Sequence, residues 1–316
     1  MVPCYNEAET LPSSAETLER LLEKMITDEQ ISSESTIRFV NDGSCDCTWA
    51  LICEFCSREG TRFRGVNLSR NFGHQSALLA GLFSSRADAC VSIDADLQDD
   101  VNVVPKMVEK FRAGADIVYG VRARRDTDTF FKKWTALAFY AVRDWLAGGK
   151  TIRNHADFRL MSRRAINALK SFPETNLYLR GLIPMLGFPS AKVFYDRRAR
   201  EFGESKYPLS KMLKLAWNGI VNFSDVPLKM LTAAGLLGGA VCACALVFAL
   251  VQWLRGETVP GWATIVFAVA AVGSVQMISL GILGSYIAKI FLETKRRPPF
   301  IIQETIGGNE ACSRET

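Results

Sequence analysis

The stretch Val91-Ser92-Ile93-Asp94-Ala95-Asp96-Leu97-Gln98-Asp99-Asp100 gathers the side chains best suited to chemistry. It continues Cys90 to Ile93, a short apolar run with β-branched residues, which predicts a buried strand ending in a cluster of acids. On extended chain the period of two puts the Asp94 and Asp96 carboxylates on the same side, and Gln98 continues that side if the chain stays extended. Hard oxygen ligands at this spacing suit Mg²⁺ or Mn²⁺ shared with substrate phosphates. The same acids also suit the N-terminal cap of a helix beginning near Val101, where Asp is favoured. Pattern alone leaves both readings open.

The elements that must position this cluster follow from periodicity. Glu7 to Met25 reads as a helix with Leu11, Leu18, Leu21, Leu22 and Met25 on one side, and Thr36 to Val40 as a strand ending at Asn41-Asp42-Gly43-Ser44. Thr48 to Cys56 and Gln75 to Ser84 read as helices with the strand Phe63 to Leu68 between them. The acidic strand, a helix from Val103 to Arg112 and a strand from Asp116 to Val121 follow. This βα alternation predicts an α/β fold, a mostly parallel sheet flanked by helices, with ligands bound beyond the carboxyl ends of the strands. Pro3-Cys4-Tyr5-Asn6-Glu7, Asn41 to Ser44 and the acidic cluster all reach that edge. Met1-Val2 leads straight into Pro3, a very short first strand, and the expectation is that the native chain begins upstream.

Hydrophobic residues make up 48% of the 316 and concentrate in the C-terminal third. Leu231 to Leu254 and Trp262 to Ile290 each exceed the roughly 20 residues that cross a bilayer core, which predicts two transmembrane helices. Lys206, Lys211, Lys214 and Lys229 precede the first run and Lys295-Arg296-Arg297 follow the second, so the positive-inside rule puts the N-terminal region and the tail in the cytoplasm. The expected layout is a catalytic domain over 1–205, a juxtamembrane amphipathic segment over 206–227, two spans within 228–291 and a cytoplasmic tail over 292–316. Phe130 to Trp145 and Leu209 to Phe223 alternate apolar-aromatic with basic faces and suit interfacial helices. Gly235 with Gly239, and Gly281 with Ser285, have a spacing that seats helices closely within a protomer or in a homo-oligomer. Nine cysteines, an odd number, suit reduced thiols, and Cys53 and Cys56 read as small buried hydrophobes rather than zinc ligands. A net charge of +5 beside the spans points to a membrane surface or phosphorylated ligands rather than nucleic acid.

In order along the chain, Val-Pro-Cys-Tyr-Asn-Glu, Asn-Asp-Gly-Ser, Ser69-Arg70-Asn71-Phe72-Gly73-His74, Asp-Ala-Asp-Leu-Gln, Asp157-Phe158-Arg159-Leu160-Met161 and Gly203-Glu204-Ser205-Lys206-Tyr207 resemble the signature segments of family 2 glycosyltransferases. The resemblance is to the polyprenyl-phosphate branch, which includes dolichol-phosphate mannose synthases and bacterial bactoprenol glucosyltransferases. It implies a GT-A-type fold and transfer of a hexose, foremost glucose from UDP-glucose, to undecaprenyl phosphate at the inner membrane. N-acetylglucosamine, mannose and a modified arabinose are the alternative sugars. Pro3, Tyr5, Glu7, Asp42 and Arg70 would hold the donor, and Asp94, Asp96 and Gln98 the metal, Mg²⁺ or Mn²⁺. Asp157 is the family's candidate base, and Arg122, Lys132, Arg200 and Lys206 would meet the acceptor phosphate. A flippase and a periplasmic or lumenal transferase would act on the product.

Departures from that pattern are small. Asn41 stands where Asp is commoner, Cys45 and Cys47 replace Ser or Thr and Gly, and Ala156 replaces the Gly before Asp157, where a Cβ would resist a positive φ. Because a phosphate monoester with a second pKa of about 6 is already largely dianionic at neutral pH, the acceptor needs no strong base, and Asp157 is expected to orient cations or the acceptor. A processive polysaccharide synthase is disfavoured by the lack of a Gln-x-x-Arg-Trp segment and by only two spans. A non-catalytic membrane paralogue is disfavoured by the intact Asp94, Asp96, Asp157 and Lys206.

Overall fold

The computed structural model describes residues 1–122, 155–172, 179–196, 226–255 and 261–307. They fall into two compact units, one holding the N-terminal region together with residues from 296 onward, the other holding the long apolar helices.

In the first unit, strands β1 (Val2–Cys4), β2 (Ile37–Asn41) and β3 (Phe63–Leu68) run parallel, joined through helices α1 (Leu11–Thr27) and α2 (Thr48–Ser57). Helix α1 buries Leu11, Ala15, Leu18 and Met25, the stripe its periodicity predicts. Phe39, Phe55 and Phe63 pack together beneath β2 and β3, with the Phe39 and Phe63 rings stacked at 5.6 Å. Cys56 is buried with them and Cys53 is half-buried. Helix α3 (His74–Ser84) follows β3 and leads to β4 (Ala89–Ser92), then to α4 (Val104–Arg112) and β5 (Ile117–Arg122). Strand β6 (His155–Ser162), α5 (Arg163–Lys170), α6 (Leu179–Met185), β7 (Ser190–Tyr195) and, from the C-terminal region, β8 (Ile302–Ile306) follow among the described residues of the unit.

The strands form two four-stranded sheets, ordered β1-β2-β3-β8 and β4-β6-β5-β7. They meet at Met1, whose nitrogen donates to the Val91 carbonyl at 2.8 Å and whose carbonyl accepts from Ile93 N at 3.1 Å. The expectation of a mostly parallel sheet is corrected here. Strand β6 runs antiparallel to both β4 and β5, and β8 runs antiparallel to β3. Both intruding strands return from distant parts of the chain. An antiparallel neighbour needs no crossover helix, so the βα alternation carries no sign of it. Position 156 lies within β6.

The second unit contains two long helices, α7 (Val226–Leu254) and α8 (Trp262–Thr294). Among the described residues one segment, Ala271–Thr294, is long and apolar enough to cross a membrane; Leu231–Ala245 is apolar but shorter. Leu236, Val269 and Met277 stand exposed on these helices. The predicted interfacial segments 130–145 and 209–223 lie outside the described residues.

Candidate active site

A cleft of about 300 Å³ opens at the carboxyl ends of β1, β2 and β4, lined by Pro3, Tyr5, Glu7, Asp42, Asn71, Gly73, His74, Asp94 and Asp96 among others. All three segments expected at this edge reach it, joined by the β3–α3 loop. A larger cavity, about 740 Å³, lies at the opposite strand ends beside α1 and α4, lined by Leu18, Leu22, Val104 and Val108. None of the described candidate site residues borders it.

Three loops are locked together around the cleft. Asn6, at a φ of 53°, donates its N–H to Ser44 Oγ at 3.0 Å and accepts from Cys45 N at 2.9 Å through Oδ1. Glu7 donates its N–H to Thr48 Oγ1 at 2.9 Å, accepts from the Thr10 hydroxyl at 2.6 Å, and its carbonyl takes the Leu11 N–H that opens α1. Tyr5 is exposed at the rim. Asp42 is buried, and its two oxygens accept the N–H groups of Phe72 at 2.8 Å and Gly73 at 2.9 Å. Burial pushes its pKa up against those bonds. The residue expected to read the base is therefore also the brace of the β3–α3 loop. Gly43 allows this closeness. Its φ is +64°, and a Cβ there would stand 2.3 Å from Arg70 C and 2.5 Å from Asn71 N. Arg70 lies over the Phe72 ring at 4.2 Å, outside the residues lining the cleft. Asn41 is buried and donates its amide to Asn67 Oδ1 at 2.7 Å.

The acidic cluster departs from extended geometry. Strand β4 ends at Ser92, and the chain turns, with Leu97 N donating to the Asp94 carbonyl at 3.2 Å and Leu97 at a φ of 44°. Asp94 and Asp96 still both reach the cleft, presented by a turn instead of an extended edge. Gln98 is buried and is not among the residues lining the cleft, because the turn breaks the period that would have carried it there. Asp96 Oδ1 accepts from Gln98 N at 3.3 Å. The helix-capping reading goes to another acid: Asp100 Oδ1 accepts from Asn102 N at 3.1 Å at the 3₁₀ turn Val101–Val103. Asp94 and Asp96 do not cap it.

Asp94 Oδ1 is buried with no hydrogen-bond partner, while the side chain as a whole is 43% exposed to the cleft. Burial pushes the Asp94 pKa up; nearby His74 opposes this, and Asp157, Asp99 and Asp96 add to it. An orphaned hard oxygen beside a second open carboxylate fits a divalent cation that takes its remaining ligands from substrate phosphates.

His74, at the start of α3, connects Asp94 to Asp157. Its Nε2 stands 3.6 Å from Asp94 Oδ1 and 3.5 Å from Asp157 Oδ2. Asp157 projects from β6, buried, and is held by two guanidinium groups. Arg159 Nη2 reaches Oδ1 at 2.5 Å; Arg180, from α6, reaches Oδ1 through Nε at 3.2 Å and Oδ2 through Nη2 at 2.9 Å. Burial disfavours the Asp157 anion, but His74, Arg180 and Arg159 outweigh burial and hold its pKa well below the usual carboxylate range. The Asp157 backbone carbonyl accepts from Ser92 Oγ at 2.5 Å, which ties β6 to β4 at the cleft. His74 and Arg180 were not singled out from the sequence. His74 stood in a quoted motif beside Gly73, but Arg180 gave no local signal.

Arg122 leaves the sequence expectation in a different way. At the end of β5 it donates to the buried Asp99 at 3.1 and 3.3 Å and to the Tyr195 hydroxyl at 3.4 Å. Its charge is paired within the fold. Lys132, Arg200 and Lys206 lie outside the described residues.

The α/β fold, with its mixed strand pairing and an acidic turn at a cleft beyond the strand ends, is GT-A-like. Residues 1–170 match the model of glycosyl transferase family 2, and the chain belongs to that family. It is 46% identical to the uncharacterized glycosyltransferase YkoT of Bacillus subtilis, over 96% of this chain and 90% of that one. It is 36% identical to a prophage bactoprenol glucosyl transferase homolog of Escherichia coli K12, over 96% and 97% of the two chains. To the bactoprenol glucosyl transferase of Shigella phage SfII it is 36% identical, over 98% of each.

Proposed function

We propose that this glycosyltransferase moves a hexose, glucose from UDP-glucose, onto undecaprenyl phosphate at the cytoplasmic face of the inner membrane. The observation that carries the reading is the pair Asp94 and Asp96 lining one cleft of about 300 Å³, with an orphaned Asp94 oxygen and with His74 standing between Asp94 and the cation-held Asp157. The lipid acceptor and the glucose are supported by the names of the Escherichia coli and phage relatives, which match over nearly their whole length.

In this reading Pro3, Tyr5, Glu7 and Asp42 frame the nucleoside, with Arg70 at the margin. Asp94 and Asp96 hold Mg²⁺ or Mn²⁺; bound there, the ion supplies charge stabilisation for the departing diphosphate. The acceptor phosphate attacks the anomeric carbon from the face opposite the diphosphate, which inverts the configuration. Asp157 already engages both oxygens with cations and takes no proton. Its part is to hold its partners in place. Lys132, Arg200 and Lys206 supply further positive charge to the acceptor. Helices α7 and α8 cross the membrane as two spans, their exposed apolar side chains facing lipid, as large apolar surfaces of this kind require.

The test is a transfer assay with the purified full chain, undecaprenyl phosphate and a panel of labelled nucleotide sugars in Mg²⁺ or Mn²⁺. A labelled lipid product with UDP-glucose is expected. Labelling of soluble acceptors with no lipid product from any donor would overturn the assignment.

A further inference from the structure

The β3–α3 loop supplies Asn71, Gly73 and His74 to the cleft, and Asp42 holds it from the β2 side through Phe72 N and Gly73 N. Residues far along the chain hold it from the other side. Strand β8 lies antiparallel against β3, from Gly65 opposite Ile306 to Leu68 opposite Ile302. The register shifts between Asn67 and Leu68, an irregularity of the kind that bends a strand and re-aims the residues beyond it. The pairing does not stop where β3 does. Ser69, the first residue of the loop, donates its N–H to the Ile301 carbonyl at 3.0 Å, so the hydrogen bonding runs on into the segment that carries the cleft residues.

Phe300 makes the second attachment. It packs on the buried patch of Val40, Val66, Leu68, Ala77 and Ala80, and Phe72 of the loop packs on the same patch. Its ring stands 6.3 Å from that of Phe83 on α3. One side chain thus joins the strand that leads into the loop and the helix that leads out of it. The other end of β8 is placed differently: Ile306 pairs with Gly65 and packs against the main hydrophobic core, away from the loop.

We propose that Phe300 and Ile301 are positioning residues for the nucleotide-sugar site: the C-terminal segment, added to the sheet as β8, holds the β3–α3 loop on one side as Asp42 holds it on the other. Neither lines the cleft, and both act through the loop. Two attachments on opposite sides fix Asn71, Gly73 and His74 before the donor arrives, and a loop fixed beforehand loses less conformational freedom on binding. This rests on the proposed nucleotide-sugar donor, and the experiment separates the two.

The full chain in nanodiscs would first be titrated with UDP-glucose and the same panel of nucleotide sugars in Mn²⁺, and the tightest ligand carried forward. A parent protein that bound none of them would overturn the donor reading, and this inference with it. If the parent binds, Phe300→Ala should weaken the affinity about tenfold and raise the donor KM as much, with kcat within about twofold, the pattern of lost uniform binding. Amide hydrogen exchange over residues 69–73 should quicken in the same variant. Phe300→Leu keeps an apolar side chain and should weaken binding only about threefold; it carries the test if Phe300→Ala does not fold. Ile306→Ala removes apolar contact from the same strand at its far end, and should lower the melting temperature while leaving donor affinity unchanged. Unchanged donor affinity in the Phe300 variants, or a loss as large in Ile306→Ala, would overturn the positioning role and leave the donor site standing.

Discussion

Gly43→Ala is the sharpest test of how the nucleotide side of the cleft is built. Two penalties combine. The backbone at φ +64° costs a residue with a Cβ about 1–2 kcal/mol. The new methyl would also stand 2.3 Å from Arg70 C and 2.5 Å from Asn71 N, both main-chain atoms that cannot rotate away. Relief requires the β3–α3 loop to retreat by about 1 Å, measured against ordinary carbon contacts of 3.5–4.0 Å. That loop is pinned by Asp42 through Phe72 N and Gly73 N, so retreat weakens two hydrogen bonds to a charged acceptor, each worth about 1.5–3 kcal/mol. With both bonds lost the total is about 4–8 kcal/mol, or a melting temperature lower by roughly 10–30 °C for a unit of this size. Gly60→Ala is the matched control. Its φ is +69° and nothing lies within 4 Å of the added Cβ, so it carries the conformational penalty alone, about 1–2 kcal/mol. Thermal unfolding of both variants, with KM for the nucleotide sugar, measures the difference. Equal melting temperatures for the two, with donor KM unchanged by Gly43→Ala, would refute the account of the locked loops.

Asp94→Asn should lower kcat by about 10²–10³ with little change in melting temperature, because the side chain stabilises developing charge and its Oδ1 bonds no protein donor; chelation of divalent ions should abolish transfer in the parent, and added Mg²⁺ or Mn²⁺ should restore it. Asp157 gives a pH signature with a definite sign. Its folded pKa is depressed, so its stabilisation is complete above the unfolded value near 3.9 and is lost as pH falls below it, at up to about 1.4 kcal/mol per pH unit. A folded Asp157→Asn protein should show a flatter stability curve between about pH 4 and pH 2, measured by denaturant unfolding; an unchanged slope would contradict the cation-held carboxylate. Asp99→Asn should destabilise the fold by about 3 kcal/mol, because it leaves the Arg122 guanidinium without its buried partner. A lipid KM that moved while stability did not would instead make Arg122 an acceptor ligand.

Much of this protein is decided within short windows of its sequence. The stripe Leu11, Leu18 and Met25, the aromatic strand residues Phe39 and Phe63, and the polar punctuation at Asn41-Asp42-Gly43-Ser44 declare their elements because periodicity and turn chemistry are local properties. The order of those elements also places Pro3, Asp42 and Asp94 at one edge. Tertiary structure decided the rest. Which acid caps the turn and which stay open depends on a left-handed residue at Leu97, so Asp100 takes the cap and Asp94 keeps an orphaned oxygen. Strands β6 and β8 enter antiparallel from far along the chain, and no local pattern names a strand's partner. Arg122 looked available until Asp99 and Tyr195 were brought against it. His74, Asp157 and Arg180 are separated by long stretches of sequence and become one site only where α3, β6 and α6 converge. Residue type and spacing set what each side chain can do, but which charges neutralise one another is a matter of distance, and distance exists only in the folded chain.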